Sequence, residues 1–142
     1  MPGARILLVD DSKVLLDSLC FLLIRSGYEV RTAGSAEAAL DLLRSDVDIA
    51  LLITDIGLPR ASGWSLAREA RAMRADLPVI YVSGHAEEAW YEQGVTGSIF
   101  MRKPFGIDDL LGGAARLLSR EYLAPKGADS AHATPQVPPV RA

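Results

Sequence analysis

Cysteine is almost missing from this chain of 142 residues: Cys20 stands alone, so no internal disulfide can form and a reducing compartment is expected. Long apolar runs are missing too. Met1-Pro2-Gly3-Ala4-Arg5 leads into only Ile6 to Val9 before two aspartates, which is too short for a signal-peptide core. No run approaches the length that spans a bilayer, so a soluble, cytoplasmic protein without membrane contact is expected. Nor does either sign of charge dominate. Fifteen Lys and Arg against 18 Asp and Glu, interspersed, give a net charge of −3 and leave no basic stripe for nucleic acid.

What the chain does have is apolar mass, 49% of its residues, enough for one buried core. It comes in short runs. Ile6-Leu7-Leu8-Val9, Ile49-Ala50-Leu51-Leu52-Ile53 and Val79-Ile80-Tyr81-Val82 show no polar alternation, as expected of strands covered on both faces of a parallel sheet. Tyr28 to Thr32 alternates and reads as an edge strand. Ile99-Phe100-Met101 is a fifth short run.

Helical patterns separate these runs. Ser12, Ser35 and Ser62 are N-cap candidates. The first helix carries Leu15, Leu16, Leu19, Leu22 and Leu23 up to Gly27; the second carries Ala36, Ala39, Leu40 and Leu43. The third carries Leu66, Ala70 and Met73 and must end before Pro78. A short fourth covers Glu87 to Gln93. The last runs from about Ile107 to Tyr122, weakened by Gly112-Gly113.

Five strand–helix pairs in strict alternation predict a doubly wound α/β domain, a flavodoxin-like (βα)5 fold with a five-stranded parallel sheet of strand order 2-1-3-4-5. Residues 1–122 read as this domain. Beyond Leu123 large apolar residues fade and Pro125, Pro135, Pro138 and Pro139 appear, so residues 123–142 read as a disordered tail or linker.

On this scaffold the acids gather. Asp10 and Asp11 follow the first strand and Asp55 follows the third, its neighbour in the sheet. Three carboxylates at adjoining strand ends repel, and hard oxygen ligands suit Mg²⁺. Lys103 follows the fifth strand and supplies a compact positive charge; Ser83 ends the fourth and supplies a hydroxyl. Each alone is an ordinary loop residue. Together they are the equipment for phosphoryl transfer to a carboxylate.

The stretches ILLVDDS (6–12), LLITDIGLPRASG (51–63), VIYVSGH (79–85) and IFMRKPF (99–105) make the chain similar to the CheY-like receiver domain of two-component response regulators. The resemblance covers roughly residues 4 to 122. It implies that Asp55 is the phosphoacceptor and that Asp10, Asp11, Asp55 and the backbone carbonyl of Gly57 hold Mg²⁺. It also implies that Lys103 and Ser83 assist the transfer. Ser83 and Phe100 would form the switch, with the ring turning inward on phosphorylation. Partners would read the change on the face of the fourth helix, fifth strand and fifth helix.

The implied donor is a sensor histidine kinase or a histidine phosphotransfer protein, and the implied reader is a downstream protein. A homodimer through the switch face is compatible with the resemblance. No turnover of an external substrate is expected, only the chain's own Asp phosphorylation and dephosphorylation. The Lys103–Pro104 bond is expected cis, and Pro59 and Gly63 suit the family loop. The resemblance implies that Gly57 and His85 stand at positions that tune phosphoryl lifetime, with a plain loop histidine an equally strong reading of His85. Trp90 and Tyr91 on the fourth helix read as a docking surface or as packing on the sheet, with packing favoured for at least one of them.

Other readings fit less well. A phosphohydrolase resembling the haloacid dehalogenase group needs a second acid two residues after its nucleophile, where this chain has Gly57 or Ser12. A flavin binder needs a Ser/Thr/Gly-rich phosphate loop where Asp10 and Asp11 stand. A degenerate receiver would lack some of the five functional side chains, and all are present.

Overall fold

The computed structural model describes residues 3–85 and 87–119. Its elements alternate as β1 (Arg5–Val9), α1 (Lys13–Arg25), β2 (Glu29–Ala33), α2 (Ala36–Ser45), β3 (Ile49–Asp55), α3 (Gly63–Met73), β4 (Val79–Ser83), α4 (Glu87–Gln93), β5 (Ile99–Arg102) and α5 (Ile107–Leu118). The strands form one parallel sheet in the order β2-β1-β3-β4-β5, the expected topology with β2 at an edge. A two-residue antiparallel ribbon, Gly57–Leu58 with Ala61–Ser62, sits between β3 and α3.

Local chemistry sets the helix starts. Ser12, Ser35 and Ser62 each accept a hydrogen bond from a backbone N–H of the first turn, those of Leu15, Ala38 and Ser65. Gly27, at φ +101°, turns the chain after α1. The Tyr28 N–H is bonded to the Leu23 carbonyl, so β2 begins one residue later than its alternation suggests.

Successive strand residues point to opposite faces, which splits the interior in two. Leu7, Val9, Leu52 and Tyr81 pack with α2, α3 and α4. Ile6, Leu8, Leu51, Ile53 and Ile80 pack with α1 and α5. Burying each such Leu or Ile contributes about 1.5–3 kcal/mol. Leu22 and Met73, assigned to apolar faces by spacing, lie exposed instead. Gly113 faces β5: a Cβ there would stand 2.7 Å from the Met101 methyl, the movable end of that side chain, which would have to shift. Helix α5 ends at Leu118, earlier than the expected Tyr122, because Ser119 is extended (φ −81°, ψ 129°) and its N–H turns back to the Arg116 carbonyl; the expected tail at 123–142 lies outside the described residues.

Register then aligns the site. After an irregularity at Arg5/Ile6, Val9 pairs with Thr54, so the next residues, Asp10 and Asp55, come level. Asp55 pairs with Val82, one before Ser83, and Ser83 pairs with Arg102, one before Lys103. Each functional residue is thus one step from the next across the carboxyl edge of the sheet.

Candidate functional site

Backbone bonds hold the acids in place. The Asp10 N–H donates to the Ala33 carbonyl at 3.1 Å, prolonging the β1–β2 pairing. Asp10 Oδ1 accepts the Ser12 N–H at 2.8 Å, so the α1 cap and the acid brace each other. Asp55 Oδ1 accepts the Ile56 N–H at 2.9 Å, and its carbonyl accepts the Thr54 hydroxyl at 2.8 Å. The Gly63 N–H donates to the Ile56 carbonyl at 2.8 Å. A Cβ on Gly63 would collide with the Asp55 carbonyl oxygen, so this glycine lets α3 start hard against the acid.

Carboxylate oxygens of Asp10, Asp11 and Asp55 lie within 4.8 Å of one another. Asp10 is buried, Asp55 half-buried and Asp11 exposed, so the cluster opens to solvent on one side. Unit charges at such a separation repel by about 3–4 kcal/mol per pair at an effective dielectric of about 20. Lys103 Nζ stands 3.4 Å from Asp10 Oδ2 and 3.6 Å from Asp55 Oδ1. One cation among three acids leaves the cluster two charges short of neutrality. Burial pushes the Asp55 carboxyl above its ordinary range; Lys103 pulls it down, Asp10 pushes it up, the Ile56 N–H pulls it down and Asp11 adds a further push upward.

These donors suit a small hard cation: carboxylate oxygens converge, with an open side for water or a phosphoryl oxygen. Gly57 is exposed, and a Cβ there would meet nothing within 4 Å, so the side next to Asp55 is unobstructed.

The other expected residues fall into two groups. Lys103 joins the cluster's edge, and Ser83 is tied to Lys103 through the backbone: the Lys103 N–H donates to the Ser83 carbonyl at 2.8 Å, while Ser83, itself buried, accepts the His85 N–H on its Oγ at 3.2 Å. His85 is exposed. The Lys103–Pro104 bond is cis. Phe100, by contrast, lies in the interior at 0% exposure, stacked on Trp90 with ring centroids 5.8 Å apart. Trp90 is also fully buried, whereas Tyr91 is exposed; packing, not docking, is the role of Trp90.

Two contributors escaped the sequence reading. Thr54 is fully buried and braces the Asp55 backbone; the signal was a lone hydroxyl in an apolar run. Arg60, at φ +65°, turns the ribbon after Asp55, and its guanidinium bonds Glu37 of α2 at 2.7 Å. That pairing joins segments 23 residues apart and has no local signal.

Among the described residues no helix is long and apolar enough to cross a membrane. The sequence model of the response regulator receiver domain family matches residues 6–114. The response regulator SaeR of Staphylococcus epidermidis is 32% identical over 118 residues, which cover 82% of this chain and 51% of SaeR. This chain therefore spans about half the length of that relative. A receiver protein from Sinorhizobium medicae superposes with a TM-score of 0.78 at 35% identity, covering 82% of this chain and 94% of that one. The response regulator TrrA of Thermotoga maritima, solved in complex with Mg²⁺–BeF, gives 0.70 at 30% identity, covering 82% and 99%.

Proposed function

The chain belongs to the response regulator receiver domain family, and from that premise we propose that it is a phosphoacceptor switch in which Asp55 takes a phosphoryl group in a Mg²⁺-dependent transfer. One observation carries this reading: three carboxylates within 4.8 Å, answered by a single lysine. A cluster so undercompensated is primed to take up a cation and a charged phosphoryl group together. The likeness to TrrA, solved with Mg²⁺–BeF, supports the same reading.

Each residue has a task. Asp55 Oδ1 is held by the Ile56 N–H and faces Lys103, which leaves the other oxygen for the new bond. That oxygen–phosphorus bond forms as the donor's nitrogen–phosphorus bond breaks, and the freed imidazole takes a proton from water. Lys103 and the Ser83 hydroxyl hold phosphoryl oxygens. Asp10, Asp11, Asp55 and the Gly57 carbonyl would hold Mg²⁺, which supplies neutralisation of the charge spreading over the phosphoryl oxygens.

The donor is a sensor histidine kinase or a histidine phosphotransfer protein, and a downstream protein reads the α4-β5-α5 surface. The reaction is confined to the chain's own aspartate. Residues 1–122 form the receiver unit and 123–142 a tail or linker.

Intact-mass measurement after incubation with acetyl phosphate and Mg²⁺ tests this. One added phosphoryl group is expected, labile in base and lost with EDTA or in Asp55→Ala. No mass gain in the unaltered chain, or an equal gain in Asp55→Ala, defeats the reading.

A further inference from the structure

Helix α4 sets one side chain deep into the core. Of its side chains from Glu88 to Gln93, only Trp90 is buried; Ala89 is half-buried and the rest are exposed. The Trp90 indole Nε1–H donates to the hydroxyl of Ser98, itself fully buried, at 3.0 Å. Its ring lies on Phe100 at an interplanar angle of 30°. Gly94 completes the seat, because a Cβ there would run into the Trp90 ring. The next residue is tied down as well: the Val95 N–H donates to the Tyr81 hydroxyl at 3.0 Å, and Tyr81 pairs with Phe100 across β4 and β5.

This arrangement constrains Phe100. If its ring swung outward, the face of Trp90 would lose its partner and a void would open in a close-packed interior. Trp90 cannot follow to fill it without orphaning the indole N–H and the Ser98 hydroxyl in the core. The inward position is thus held by contacts that do not involve the carboxylate cluster. The segment after Ser83 is held differently: Gly84 and His85 are exposed, and the helix beyond is tied down by Trp90, by Ala89 against the core and by Arg68, which donates to the Gln93 side chain at 3.1 Å.

We propose that Trp90 is a positioning residue that latches Phe100 inward whether or not Asp55 is modified, so that the state of the site reaches α4 through the segment following Ser83 and not through rotation of the Phe100 ring. This rests on Asp55 being the phosphoacceptor. It departs from the ring rotation that the family resemblance implies.

The full chain labelled with 4-fluorophenylalanine tests it by fluorine NMR, with the Phe100 line assigned by Phe100→Leu. The readout is the solvent isotope shift between H₂O and D₂O, which reports ring exposure. The expected shift is near zero both in the unmodified protein and with Mg²⁺ and beryllofluoride. A shift near that of the free amino acid in the unmodified protein, vanishing with beryllofluoride, overturns the latch. Trp90→Leu is expected to raise the Phe100 shift in the unmodified protein toward the free value, and an unmoved line there also overturns it. Should that variant not fold, Ser98→Ala removes only the indole's bonding partner and is expected to move the line in the same direction; an unchanged line refutes the proposal. Intact mass after acetyl phosphate, taken on the same preparation, reports separately on Asp55. A chain that gains no phosphoryl group defeats the phosphoacceptor reading while the exposure of Phe100 in the unmodified protein still stands as measured.

Discussion

At the amino edge of the sheet, the buried carboxylate of Asp46 is met by Arg5 at 2.9 and 3.0 Å, by Arg31 at 3.0 Å and by the Asp48 N–H at 3.1 Å. Arg74 adds a bond to its carbonyl at 3.1 Å. At the carboxyl edge, Asp10, Asp11 and Asp55 cluster within 4.8 Å, and Lys103 reaches Asp10 and Asp55. The same residue type ends in opposite states. Burial pushes Asp46 up, but the Asp48 N–H, Arg5 and Arg31 outweigh it and hold its carboxyl below the ordinary range. Burial pushes Asp55 up, and there Lys103 and the Ile56 N–H do not outweigh it. The chain supplies the lone carboxylate with cations and leaves the cluster of three short of them, the imbalance by which perturbed groups point to a candidate site.

The widest gap between the two edges should appear in phosphoryl uptake. Asp55→Asn is expected to abolish the mass gain from acetyl phosphate, while Asp46→Asn leaves it intact. Equal loss in both variants would erase the distinction.

Stability should divide the other way. Asp46→Asn removes the charge that Arg5 and Arg31 share, leaving Arg5 its bonds to Glu29 and Arg31 to solvent, and is expected to lower the melting temperature by a few degrees. Asp55→Asn removes a repelling charge and is expected to raise the melting temperature of the metal-free protein by a smaller amount. Calorimetry without divalent cations checks both, and a destabilised Asp55→Asn would contradict the electrostatic account.

Mg²⁺ should narrow the contrast by completing the carboxyl edge. At a hundredfold excess over its dissociation constant, a ligand of the folded state adds about 2.7 kcal/mol. The accompanying rise in melting temperature is expected in the unaltered chain and in Asp46→Asn, and is expected to be much reduced in Asp10→Asn and Asp55→Asn. A similar rise in all four would place the cation elsewhere.

The smallest effect is the response to acid. The Asp46 contribution is complete above the ordinary aspartate pKa of about 3.9 and is lost as pH falls through its lower folded value. The raised Asp55 pKa acts with the opposite sign: its charge costs stability at neutral pH, and that cost is relieved as pH falls through the folded value. In metal-free protein, acidification from neutrality toward about pH 4 should therefore stabilise the chain slightly. Asp55→Asn should lack that gain, and denaturant titrations across this range give the comparison directly.

How much of this was legible in the sequence follows the range of the interaction. The caps at Ser12, Ser35 and Ser62 were legible because a cap bonds a group three residues away. Asp10, Asp11, Asp55, Ser83 and Lys103 were legible as a set because a parallel sheet gathers its carboxyl ends at one edge. Leu22 and Met73 were misplaced because helical spacing shows a stripe without showing how far the neighbouring element covers it. Gly113 read as a weakness in a helix until Met101 appeared beside it.

By itself the order of residues determined the alternation of strands and helices, the strand ends on which the acids stand and the family to which the chain belongs, since these depend on short periods and on spacing along the chain. Only tertiary structure decided which acid is matched by arginines and which is not, that Trp90 and Phe100 share one buried stack, and that Arg60 reaches Glu37. Those pairings join residues far apart in sequence, whose side chains have no preference for one another until the sheet and its crossovers bring them within a few ångströms.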